Sequence, residues 1–141
     1  QHNLFPQLSV RDNVALGIDA ALRLNADQWA RVDAALEDAG LGALAGRLPS
    51  TLSGGQAQRA ALVRILLRDQ PILLLDEPFS ALDAPLRQSM MESVCAAHRA
   101  LGACSILVTH DLEAVRERVD RVLVMDQHQV SASFRAYAQS D

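Results

Sequence analysis

The sequence predicts an α/β fold, and three observations predict it. Short apolar runs at residues 72–75, 105–109 and 121–125 have the length of strands, and their apolar residues are consecutive, the pattern of strands buried on both faces of a mostly parallel sheet. Around them lie stretches whose apolar residues recur at three- and four-residue spacing, the period of helices packed on such a sheet. The composition, 50% hydrophobic and 21% charged over 141 residues, is that of one globular domain.

Each element has its own local cause. Ser9, with Asp12 three residues on, resembles a capping box, and Val10, Val14 and Ala15 follow until Gly17, which predicts a short helix. Asn25 can cap a second helix with Gln28 at the third position, and Trp29, Val32, Leu36 and Ala39 line one side of it before Gly40 ends it. Residues 40–49, rich in glycine, make a loop. Ser53 with Gln56 caps a helix over about 54–68, and the strand at 72–75 follows. Asp83, with Pro85 behind it, reads as the N-cap of a helix over about 84–101 whose buried side is Leu86, Met90, Val94, Ala97 and Leu101. The strand at 105–109, a helix near 112–118 and the strand at 121–125 complete the pattern. The chain is thus expected to comprise a helical region over 1–50, an α/β core over 51–126 and a tail over 127–141 without a readable motif.

Several function classes fall away on composition. The net charge of -4 and the scattered arginines give no support to a nucleic-acid partner. No apolar run approaches the ~18 residues of a membrane span, and the first residues lack the pattern of a signal peptide, so a soluble polypeptide is expected. Cys95 and Cys104 are too few for a disulfide framework or metal cluster and fit reduced thiols in a cytoplasmic protein. A chain that does not begin with methionine, and whose motif at Leu4 is already under way, is expected to be cut from something longer.

Four segments carry chemistry. In Leu52-Ser53-Gly54-Gly55-Gln56, the bare N–H groups of Gly54 and Gly55 stand at the positive end of a helix beside Ser53 and Gln56, an anion site suited to a terminal phosphate; the same residues also make an ordinary capping box. The run Ile72-Leu73-Leu74-Leu75 ends in Asp76-Glu77-Pro78, and the strand pleat points adjacent carboxylates to different sides. One can hold Mg²⁺ through its water shell while the other orients and deprotonates an attacking water. Phe79-Ser80-Ala81-Leu82-Asp83 comes next, and His110 stands after the strand at 105–109, where ligands bind in open α/β sheets. Yet the chain contains no lysine; all 13 basic residues are arginine, so the lysine of a phosphate-binding P-loop is not among them.

In this order and spacing the segments resemble the nucleotide-binding domain of ABC transporters. Residues 52–56 match that family's signature motif, 73–77 its Walker B, 80–83 its D-loop and His110 its switch histidine, across roughly residues 4–126. The resemblance implies a partial P-loop NTPase fold of the ABC ATPase type, with ATP and Mg²⁺ as cofactors. It implies a head-to-tail dimer in which Ser53, Gly54, Gly55 and Gln56 contact the nucleotide held by the partner copy. Asp76 would serve the metal, Glu77 would be the general base, His110 would contact the γ-phosphate in cis, and Asp83 would cross the dimer interface and couple the two sites. It further implies transmembrane permease subunits, an extracytoplasmic solute-binding protein acting through them, and a place on the cytoplasmic face of the inner membrane.

Residues 4–10 resemble the stretch just after the Q-loop, whose glutamine the family spacing puts one position upstream of Gln1. The gap of about forty residues between Pro6 and the signature suits a bacterial importer. Leu4-Phe5-Pro6, Leu22-Arg23-Leu24-Asn25, Arg47-Leu48-Pro49 and residues 70–83 are most similar to the ATPases of thiamine importers. After Met125 the family's glycine-containing hairpin turn has no counterpart in Asp126-Gln127-His128-Gln129-Val130. Two alternatives stay open on sequence: an inactive truncated chain or interaction module, and an ABC ATPase of non-transport function. The isolated 141 residues are expected not to hydrolyse ATP.

Overall fold

The computed structural model describes residues 4–102, 104–115, 117–126 and 129–135. The family position beside Gln1, residues 127 and 128, and the tail beyond 135 lie outside the described residues. The chain divides into two compact units, Gln1–Leu107 and Val108–Asp141.

The first unit opens with helix α1 (Val10–Ala15), whose N-cap Ser9 accepts the Asp12 N–H as its sequence predicts. The Ser9 hydroxyl also donates to Asp12 Oδ2 at 2.7 Å, so the two side chains close on each other. Helix α2 (Ala26–Asp38) carries a full capping box between Asn25 and Gln28, and Gly40 leaves it with φ of 64°, a left-handed conformation that suits glycine. Helix α3 (Gly54–Leu66) starts from a second capping box, between Ser53 and Gln56. Strand β1 (Ile72–Asp76), helix α4 (Ala84–Leu101) and strand β2 (Cys104–Val108) follow as a βαβ unit, with β1 and β2 neighbours in one sheet.

The core of this unit forms where α1, α2 and α3 meet. Val10, Val14, Val32, Leu36, Leu41 and Ala60 are buried, and a Val or Leu so placed contributes roughly 1.5–3 kcal/mol. Closeness of α1 to α3 depends on Gly17, because a Cβ there would lie 2.2 Å from the Arg64 carbonyl oxygen. Partial burial of the Arg64 side chain and, after it, the charge of Arg68 pull the Arg64 pKa down. Arg59 of α3 donates from Nη1 to the Ala39 carbonyl at 2.8 Å, fastening α3 to the end of α2. Arg11 ties α1 to α2 through Nε and Nη2 to Asp33 at 2.5 and 2.8 Å, its guanidinium lying 4.0 Å from the Trp29 ring centroid.

In β1 the buried positions are Leu73 and Leu75, alternating with Ile72 and Leu74, which are 60% and 67% exposed. The unbroken apolar run predicts cover on both faces; in the first unit one face of β1 is covered. Along α4 the buried residues are Met90, Met91 and Val94, and Gly102 ends the helix in a left-handed conformation.

In the second unit, α5 (Leu112–Val115) is a single turn, and β3 (Arg121–Asp126) pairs antiparallel with β4 (Gln129–Arg135). Asp126 faces Gln129, so the two strands join in register without the expected glycine, with an irregularity between Val124 and Met125.

Candidate functional site

The first turn of α3 presents Ser53 and Gly54 to solvent, with Gly55 and Gln56 half-buried behind them. Ser53 Oγ accepts the Gln56 N–H at 3.3 Å, and Gln56 Oε1 accepts the Ser53 N–H at 2.9 Å. The capping box therefore exists, and it commits the oxygen of the Gln56 amide, leaving its NH₂ as the end able to donate to an anion. Around Gly54 the helix start offers N–H groups and the positive end of the helix dipole, with no acidic residue in that turn to oppose an anion.

Asp76 is the last residue of β1 and is exposed; Glu77 follows with φ of 44°, and Pro78 and Phe79 are buried beneath it. Left-handed backbone at a non-glycine residue costs about 1–3 kcal/mol and clusters at functional sites. Here it turns the chain off the strand directly after the metal-suited carboxylate. Asp83 caps α4 by accepting the Leu86 N–H at 3.0 Å, the structural role its sequence predicts.

Gly55 brings these two segments together. A Cβ at that position would lie 2.6 Å from the Ala81 carbonyl oxygen and 3.8 Å from Leu82 Cδ2, so the glycine is demanded by contact with the segment before Asp83. Gln58, which the sequence reading passed over, bridges the same gap: it reaches the Glu77 carbonyl, the Ser80 hydroxyl and the Ala81 N–H. The available signal was its place one helical turn beyond Gly54 and Gly55, on the face those glycines leave bare.

Asn13 was passed over as well. It is fully buried, accepts the Phe5 N–H at 2.7 Å and donates to the carbonyls of Phe5, Leu8 and Ser9, each at 3.0 Å, so it holds residues 5–9 in one shape. His110 belongs to the second unit, where it is exposed between β2 and α5, beside the turn in which the Asp111 N–H meets Thr109 Oγ1 at 3.1 Å. Among the described residues there is no group of three or more His, Cys, Asp or Glu placed to hold a metal, and no helix long and apolar enough to cross a membrane. Water-mediated Mg²⁺ binding needs only one or two carboxylates, and exposed Asp76 at the strand end has that donor chemistry.

A sequence profile described as ABC transporter matches residues 1–80. The chain is 51% identical over 128 residues to the thiamine import ATP-binding protein ThiQ of Jannaschia sp. (strain CCS1), covering 91% of this chain and 56% of that protein. It is 47% identical over 131 residues to the protein of the same name from Haemophilus influenzae (strain 86-028NP), covering 93% and 61%. The chain thus spans little more than half the length of these relatives. Among solved structures, the ATP-binding cassette MJ0796, a dimer in a post-hydrolysis state bound to ADP and Pi, superposes with a TM-score of 0.86 at 30% identity, covering 98% of this chain and 61% of that one. Dimeric MJ0796, a bacterial ABC transporter cassette, gives 0.85 at 29%, with the same 98% and 61% covered.

Proposed function

Because this chain belongs to the ABC transporter family, we propose that it forms part of the ATP-binding, ATP-hydrolysing subunit of an importer that takes up a small molecule, namely thiamine. The observation that carries the proposal is the junction at Gly55: the helix start suited to a terminal phosphate is packed against the segment that bears Glu77 and leads to Asp83. Thiamine rests on likeness to the relatives, in sequence and in their names, and not on the chemistry of a site in this chain.

In this proposal Ser53, Gly54, Gly55 and the NH₂ of Gln56 bind the γ-phosphate of ATP seated on a second, head-to-tail copy. Bound Mg²⁺-ATP supplies the phosphoryl group and a countercharge, with Asp76 as the residue that holds the metal through its water shell. At the ATP of this copy's own site, in cis, Glu77 accepts the proton of the attacking water and His110 donates to the γ-phosphate oxygens. Asp83, fixed as the cap of α4, contacts the partner copy. A P-loop lysine is not among these residues and has to be supplied from outside them. The subunit sits on the cytoplasmic face of the inner membrane through permease subunits, and an extracytoplasmic solute-binding protein acts indirectly through them; nucleic acid is not among the partners proposed.

The test is Glu77→Gln in the complete importer ATPase. ATP binding is retained and steady-state hydrolysis falls by about a hundredfold or more, the contribution of a general base. Hydrolysis within a few-fold of the parent would remove Glu77 from that role.

A further inference from the structure

We propose that Gln58 is a positioning residue for ATP hydrolysis, a side chain of the phosphate-binding helix that sets the backbone of the general base. The inference rests on Glu77 being that base. Gln58 Nε2 donates to the Glu77 carbonyl oxygen at 2.8 Å and to Ser80 Oγ at 3.2 Å, while Gln58 Oε1 accepts the Ala81 N–H at 3.0 Å. Its amide can face only one way, because a backbone carbonyl can only accept and a backbone N–H can only donate.

These bonds address a specific liability. Glu77 holds φ of 44°, a conformation that persists at a non-glycine residue only where neighbours over-determine it. Its carbonyl accepts from Gln58 Nε2, from Ser80 Oγ at 3.1 Å and from the Ser80 N–H at 3.3 Å. Two of those donors belong to Ser80, in the same turn as Glu77; Gln58 comes from a different element. It is the bond that refers the turn to α3, and rotation of the Glu77 peptide would redirect its side chain, because the Cβ direction follows the backbone. Gly55 makes the reach possible: without a Cβ, α3 lies close enough for one glutamine to span from helix to turn. The Ala81 bond fixes the other end of the turn, two residues before the Asp83 cap. The helix that contacts the partner copy's ATP and the turn that carries this copy's base are thereby tied to each other, and a base is a group whose small misplacement costs rate steeply.

The test uses two substitutions of similar volume in the complete importer ATPase. Gln58→Met removes all three bonds, and Gln58→Glu keeps an oxygen for the Ala81 N–H while turning the other against the Glu77 carbonyl. We expect each to lower kcat by about tenfold or more with KM for ATP changed less than about twofold, and Gln58→Glu to be no better than Gln58→Met. In single turnover, Gln58→Met added to Glu77→Gln should cause no further loss, since a group that acts only through Glu77 has nothing left to position. Unchanged kcat in Gln58→Met, a loss that tracks KM and melting temperature together, or full additivity with Glu77→Gln would each overturn the proposal. Near-normal turnover in Glu77→Gln alone would instead remove the base assignment beneath it.

Discussion

Asn13 shows how much one polar side chain can settle. Its fully buried amide accepts the Phe5 N–H and donates to the Phe5, Leu8 and Ser9 carbonyls; those of Phe5 and Ser9 also accept the Leu8 and Asn13 backbone N–H groups, so the Phe5 N–H and the Leu8 carbonyl depend on it most. Asn13→Ala should therefore lower the unfolding free energy by about 1–3 kcal/mol, read from urea denaturation. A change below about 0.5 kcal/mol, the scale of an ordinary surface substitution, would mean that the segment holds itself. Residues of this kind are the least legible in sequence. Cap residues such as Ser9, Asn25, Ser53 and Asp83 announce themselves because donor and acceptor lie three residues apart. Gln58 does not, because its partners lie 19 to 23 residues away and only the fold brings them near.

At the scale of elements, α1 and α2 are clipped together by Arg11 and Asp33. The hydrogen bond from Arg11 holds the Asp33 carboxyl below its ordinary pKa, outweighing the opposing desolvation, and the partner's charge adds to it. A depressed carboxylate contributes stability that is fully present above its unfolded pKa and is lost as pH falls through the folded one. Below about pH 4 the melting temperature should fall, and more shallowly in Asp33→Asn than in the parent. Both partners are substantially exposed, so the difference is small and shrinks further in high salt. Identical acid limbs in the two proteins would leave the clip without a role in stability. The α/β alternation and the extent of α4 were legible because period and caps agree there. The β3–β4 pairing was not, because its connection lacks the glycine that marks a hairpin, yet Asp126 stands opposite Gln129, with the register shifting once between Val124 and Met125.

For the molecule as a whole, the exposed strand face decides behaviour. Ile72 and Leu74 of β1 and Ile106 of β2, on adjacent strands, are 60%, 67% and 55% exposed, apolar surface of the kind that drives association. Purified alone at micromolar concentration, the 141 residues should self-associate, with scattering that grows with concentration, and should show no ATP hydrolysis sensitive to Glu77→Gln. A monodisperse monomer, or turnover abolished by that substitution, would contradict this. The sequence predicted these strands as buried on both sides because four consecutive apolar residues carry no information about which face finds a cover.

The glycine at position 17 has a mechanical consequence. Asn13 fastens residues 5–9 onto α1, and just past the end of α1 Gly17 meets the Arg64 carbonyl of α3 with no room for a side chain between them. A packed route thus runs from the Phe5-Pro6 loop to the last turn of α3, the end of that helix opposite Ser53, along which a displacement of the loop can be passed on.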